Sequence, residues 1–199
     1  MRALEKDIKI KATELFTKYG IRSITMDDIS REVGISKKTL YNYIIDKEEL
    51  VKTVCDNEVQ KLSEKLNTII TGSESSIEKY YQLVDFTFRF LSSKSIIAEF
   101  DLKKYYPEIE KEINAEVLEI LHASFQKIID KGISEGAIRN DGNPRVIAEQ
   151  QILQLNHLAE KKNEENFDST YKQTLMYHAR AMFTNKGMEL LNSKLLKNI

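Results

Sequence analysis

Residues 23–54 read SITMDDISREVGISKKTLYNYIIDKEELVKTV. Thr25 stands three residues before Asp28, the spacing of a capping box, so a short helix opens here with Ile29 and Val33 on its inner face. Gly34 breaks the chain. Ser36 caps the next helix, which carries Leu40 and Ile44 at i, i+4. Asp46, with Glu49 three later, opens a further helix through Leu50, Val51 and Val54. Upstream, Ile8, Ala12, Leu15, Phe16 and Tyr19 follow one helix face up to a stop at Gly20. Residues 25–44 therefore read as helix, tight glycine turn, helix, the arrangement that enters a DNA major groove.

The chemistry of the second helix of that pair agrees. With Leu40 and Ile44 inward, Lys37, Lys38, Tyr41 and Asn42 point outward. Lysine suits phosphates or guanine edges and asparagine suits adenine. Ser36 and the neighbouring threonine and tyrosine hydroxyls suit phosphate oxygens. Lys47 and the free N–H groups that start the fourth helix make another anion site. Periodicity alone leaves a plainer account open, a helical hairpin with a solvated polar face.

Composition points the same way. The chain has 199 residues, 31% charged and 41% hydrophobic, enough to bury a core. Only 2 Pro and 7 Gly interrupt it, which predicts long helices and an all-α fold. A single Cys excludes an internal disulfide framework, and 3 His leave little for a multi-histidine metal centre. No apolar run approaches a membrane span. The opening MRALEKDIKIKA carries charge every few positions, unlike a signal peptide, so a cytoplasmic protein is expected. Net charge is −1, but residues 1–47 hold ten Lys/Arg against seven Asp/Glu and residues 48–199 twenty against twenty-four. A mildly basic head precedes an acidic body.

Residues 23–54, together with Phe16 and Gly20, resemble the N-terminal domain of TetR-family transcriptional regulators. The likeness runs through Thr25, Ile29, the Val33–Gly34–Ile35–Ser36 turn, Thr39–Leu40–Tyr41, and Lys47, Glu48 and Leu50. Hydrophobic, turn and polar positions agree in register over about the first quarter of the chain. Ile44 stands where the family often has Phe, and Lys38 where many members have a small residue. The resemblance implies that Lys37, Lys38, Thr39 and Asn42 face bases, while Thr25, Tyr41, Tyr43 and Lys47 hold phosphates. It divides the chain into a three-helix DNA-binding domain, 1–46, and a larger helical ligand-binding and dimerisation domain, 47–199.

Along the body, a helix runs from Asp46 to about Ile70, followed by a turn at Thr71–Gly72–Ser73. Ser75 and Glu78 cap a helix over 76–92. A shorter segment, Ser95–Lys104, precedes a long helix over 107–131 that starts at Pro107. Further helices are predicted over 144–160 and 169–183. Gly187 is read as a break before a last helix, Met188–Leu196. The Tyr–Pro–Glu start at 106–108, the Gly132–Gly136 segment and the Met182–Phe183 to Gly187 ending also resemble the family. There the C-terminal domain holds a small-molecule cavity and a dimer interface.

Tyr80, Phe86, Phe90, Phe100, Tyr105, His122 and Phe125 are the candidates to line an apolar cavity, with ordinary core as the alternative. The aromatic bias favours a flat or hydrophobic ligand. Ile147, Gln151, Leu155 and Leu158, with Tyr171, Leu175, His178 and Met182, form two stripes. Those stripes either pair with a second copy as a four-helix bundle or pack inside one subunit.

No catalytic fingerprint or cofactor site is read. Glu119 and His122 form an E-x-x-H pair without the second pair a di-iron bundle needs, and no metal is expected. Asp85 and Arg89 read as a surface ion pair and Cys55 as a small buried hydrophobe. The chain is expected to be a homodimeric repressor, not an enzyme. It would bind a near-palindromic double-stranded operator and leave it when a small hydrophobic effector binds. The alternative is a DNA-binding regulator whose body binds a protein partner or only dimerises.

Overall fold

The computed structural model describes residues 2–93 and 95–194. Among these the regular structure is helical. The elements are α1 (Arg2–Tyr19), α2 (Met26–Val33), α3 (Lys37–Tyr41), α4 (Lys47–Thr71) and α5 (Ser76–Ser92). They continue with α6 (Ile96–Tyr105), α7 (Pro107–Ser134), α8 (Pro144–Glu160), α9 (Phe167–Met182) and α10 (Asn185–Lys194). Contacts divide the chain into two compact units, one of Met1–Ser63 with Lys94–Val117, the other of Glu64–Ser93 with Leu118–Ile199. Helices α4 and α7 each run from one unit into the other.

In the first unit the local signals fold as the sequence predicts. The Thr25 hydroxyl accepts the Asp28 N–H at 3.2 Å, and the Asp28 carboxylate accepts the Thr25 N–H at 2.9 Å, completing the capping box of α2. Gly34 ends α2 with φ of 78°, a left-handed conformation that a side chain rarely adopts, and the Ile35 N–H closes on the Ser30 carbonyl. This sets the turn between α2 and α3. Ser36 caps α3 by accepting the Thr39 N–H at 3.0 Å. Ile8, Ala12, Phe16, Ile29, Leu40, Ile44, Leu50 and Val54 are buried, a continuous core drawn from α1 to α4. Two expectations change. Helix α3 ends at Tyr41, and Ile44 reaches the core from the turn that follows. Tyr19, at the end of the inner face of α1, is half exposed.

This unit also contains α6, which packs on α1. Ser95 caps α6 and donates its hydroxyl to the Thr17 carbonyl at 2.9 Å. The Arg22 N–H donates to the Asp101 carboxylate at 2.8 Å.

The second unit is organised around α5 against α8. Ile77, Tyr80, Leu83 and Val84 of α5 meet a core that includes Ala148, Ile152, Leu155 and Leu158 of α8 and Leu121, Phe125 and Ile129 of α7. The capping box of Ser75 and Glu78 fixes the start of α5, and Asn143 with Pro144 fixes the start of α8. The Lys79 ammonium donates to the Ile70 carbonyl at 2.8 Å and satisfies the end of α4.

The break between the last two helices lies at Phe183–Thr184 and not at Gly187, which sits inside α10. Its cause is a short extended pairing. The Arg139 N–H donates to the Met182 carbonyl and the Thr184 N–H to the Ala137 carbonyl. Thr184 then accepts the Gly187 N–H and starts α10. Gly187 is required for closeness, because a Cβ there would lie 2.1 Å from the Ala137 oxygen. Residues 195 and 196 of the last predicted helix lie outside the described residues. Likewise Gly132, expected to end α7, lies inside it, packed beneath Ile138.

Candidate nucleic-acid interface and ligand cavity

The predicted reading surface is an exposed face of the first unit. Ser36, Lys37, Lys38, Tyr41 and Asn42 are exposed on and beside α3, Thr25 is exposed at the start of α2, and Thr39, Tyr43 and Lys47 are half-buried. Several of these groups already have partners. The Lys37 ammonium lies 2.9 Å from the Asp27 carboxylate, which raises its pKa. The Thr39 and Ser36 hydroxyls are 2.8 Å apart. The Thr25 hydroxyl donates to Asp28 at 2.6 Å and, with the Thr25 N–H, lowers the Asp28 pKa. Lys47 donates to the Arg22 carbonyl at 3.2 Å, and burial lowers its pKa against the pull of Asp101 and Asp28. Lys38, Tyr41 and Asn42 are thus the groups presented most directly to solvent.

Sequence reasoning missed the support behind this surface. Asp101 is buried on α6 and holds the turn after α1 through the Arg22 N–H. The Arg22 guanidinium lies 4.8 Å from the centre of the Tyr105 ring and hydrogen-bonds the Tyr105 hydroxyl. Lys104 spans Phe100 and Tyr105 in the same way. The available signal was a second acid, Asp101, beside Glu99 in the largely apolar stretch IIAEFDL. Phe100 and Tyr105, assigned to the cavity from their aromatic character, therefore belong to the first unit. Phe100 is largely exposed there and Tyr105 is committed to Arg22.

The second unit contains a cavity of about 460 Å³. Tyr80, Tyr81 and Tyr171 give it ring walls, and Val84, Leu175, Met176 and Leu191 give it aliphatic ones. Gln151 contributes an amide, while Asp168 and Lys172 line it from the first turns of α9. Of the aromatic candidates only Tyr80 lines it. Phe125 backs Tyr80 edge-on at 5.8 Å and is fully buried. Phe86, Phe90 and His122 are half-buried away from it.

Burial also corrects the proposed dimer stripes. Leu155, Leu158 and Met182 are spent on the core of their own subunit, so they have no surface left for a second copy. Gln151, Tyr171 and Leu175 line the cavity, Ile147 is half-buried, and His178 stacks parallel to Tyr80 at 6.5 Å. Burial lowers the His178 pKa to about 4, so its ring is neutral at pH 7. The large apolar side chains exposed on α8 and α9 are Val146, Leu153 and Tyr177. Burial raises the Cys55 thiol pKa to about 11, which leaves it unreactive.

A glycine-turned helix pair of this polarity, exposed on the first unit, has the form of a helix-turn-helix. Residues 11–54 match the family described as bacterial regulatory proteins, tetR family. No curated protein matches the chain. Among solved structures, a TetR transcription regulator from Haloarcula marismortui is 15% identical over 92% of this chain and 100% of its own, with a TM-score of 0.76. A TetR/AcrR-family regulator from Thermobifida fusca is 22% identical over 88% and 96%, with a TM-score of 0.66. The regulator FadR from Bacillus subtilis, in complex with stearoyl-CoA, is 17% identical over 87% and 97%, with a TM-score of 0.65. At these identities the likeness is one of fold. The family match itself is confined to residues 11–54, the segment that holds the helix pair.

Proposed function

We propose that the protein is a homodimeric repressor released from its operator by a small, largely apolar effector. The cavity carries this reading, because a second unit serving only to dimerise or to bind a protein would close that volume with side chains. Its 460 Å³ lies within the range of small-molecule sites and its lining is mostly apolar. In this account Lys37, Lys38, Thr39 and Asn42 read bases, and Thr25, Ser36, Tyr41, Tyr43 and Lys47 hold the backbone. Two copies pair through the exposed faces of α8 and α9, with Val146, Leu153 and Tyr177 as anchors. Pairing sets two heads on half-sites about one helical turn, ~34–36 Å, or a multiple apart. An effector that prefers the dimer with its heads off that spacing releases the DNA by its difference in affinity for the two states.

The test is a cavity-filling substitution. DNA selected by the protein serves as operator, and a library of neutral hydrophobic compounds is screened for release. Ala179→Phe, in the cavity wall, should retain operator binding and lose release. Release by the same compounds with unchanged potency would place the effector elsewhere and overturn the reading.

A further inference from the structure

The polar floor of the cavity specifies the effector further than its apolar walls do. Gln151 is 1% exposed and lines the cavity. Its Oε1 accepts the Tyr80 hydroxyl proton at 2.6 Å, and its Nε2 has no partner in the protein. The pair holds three polar protons, two on the amide and one on the phenol. One of them is used within the pair whichever way the amide is turned. Two remain without an acceptor, and buried donors in native proteins are seldom left so. Charge is absent from this floor. The ionisable side chains that line the cavity are Asp168 and Lys172 of α9, both exposed, and the phenols Tyr80, Tyr81 and Tyr171. His178, stacked on Tyr80, is neutral at pH 7.

We infer that the effector is an uncharged, apolar compound bearing a carbonyl-type acceptor, such as a ketone, ester or lactone, that seats its oxygen on Gln151 Nε2. A carboxylate would lose its hydration against neutral donors with no buried cation to offset the loss. A hydrocarbon would leave the amide protons as they are. Tyr80 is a positioning residue: by donating to Oε1 it leaves Nε2 as the end of the amide free to donate. This deepens the proposed effector site and rests on that reading.

Three fluorescent probes test it on the full chain: a dimethylamino-naphthyl ethyl ketone, the parent dimethylaminonaphthalene, and the corresponding naphthoate. The ketone should bind roughly tenfold more tightly than the parent, and the naphthoate most weakly. Gln151→Leu should abolish the preference for the ketone while still binding the parent. Tyr80→Phe, which keeps the ring against Phe125 and Phe183, should narrow the preference, and it carries the test if Gln151→Leu does not fold. An unchanged preference in both variants, or tighter binding of the naphthoate, overturns the inference and leaves the cavity reading standing. Binding of none of the three overturns both.

Discussion

Lys37 already stands in an ion pair. Asp27 holds it at 2.9 Å on an exposed surface, so contact with a base or phosphate requires that pair to part. Asp27→Asn should therefore raise operator affinity by less than about tenfold, most visibly at low salt in fluorescence anisotropy. Tyr41 and Asn42 are presented without such a competitor and should behave differently from each other. Loss of the Tyr41 hydroxyl and ring should weaken binding to all sequences alike, because backbone contacts carry no sequence information. Asn42→Ala, or Lys37→Ala, should change which sequence is preferred, at about 1–3 kcal/mol per lost base contact. Unchanged preference in both, measured by selection from random oligonucleotides, would remove them from the base-reading set. His178 gives a residue-scale prediction of another kind. Its pKa is lowered by burial to about 4, below the ordinary value of 6.5, so the unfolded chain binds the proton more readily than the native one. Stability is therefore full at neutral pH and falls as pH drops from about 6.5 toward 4, by up to roughly 3 kcal/mol. His178→Phe should flatten that part of the pH dependence in urea unfolding.

At the scale of elements, the local signals were legible and the distant ones were not. The capping boxes of Thr25 with Asp28 and Ser75 with Glu78, and the left-handed turn at Gly34, join residues three or four apart, and the sequence displays them directly. The clamp of α6 on the head was hidden because Arg22 and Asp101 are separated by 79 residues. The stripes on α8 and α9 were legible as apolar faces. What covers them was not, since a face packed on α5 and one packed on a second copy have the same periodicity. Aromatic residues misled for a related reason: Phe100 and Tyr105 share the composition of the cavity walls but lie on α6, which packs on α1. Asp101→Ala would leave the Arg22 N–H without its acceptor and should cost about 1–3 kcal/mol, read as a lowered urea midpoint and weaker DNA binding. Leu155→Ala, in the fully buried seam of α5 and α8, should cost about 2–5 kcal/mol.

At the scale of the whole molecule, helices α4 and α7 each run from the unit that holds the helix pair into the unit that holds the cavity. The head could be assigned from sequence because its chemistry is concentrated in some thirty contiguous residues. The cavity could not, because its walls come from α5, α8, α9 and α10 and assemble only in the fold. Dimerisation belongs to this scale as well. Leu153→Asp with Tyr177→Asp should yield a folded monomer in sedimentation, since both side chains are exposed in the single chain. Operator affinity should fall steeply with the loss of the second half-site. The central claim, that this head reads a specific operator, is tested most directly by selecting sheared genomic DNA on the purified protein, with Tyr41→Ala in parallel. The account predicts a short near-palindrome enriched by the unaltered protein and lost with the variant. Equal enrichment by both proteins, or none at low salt where phosphate attraction is strongest, would contradict it.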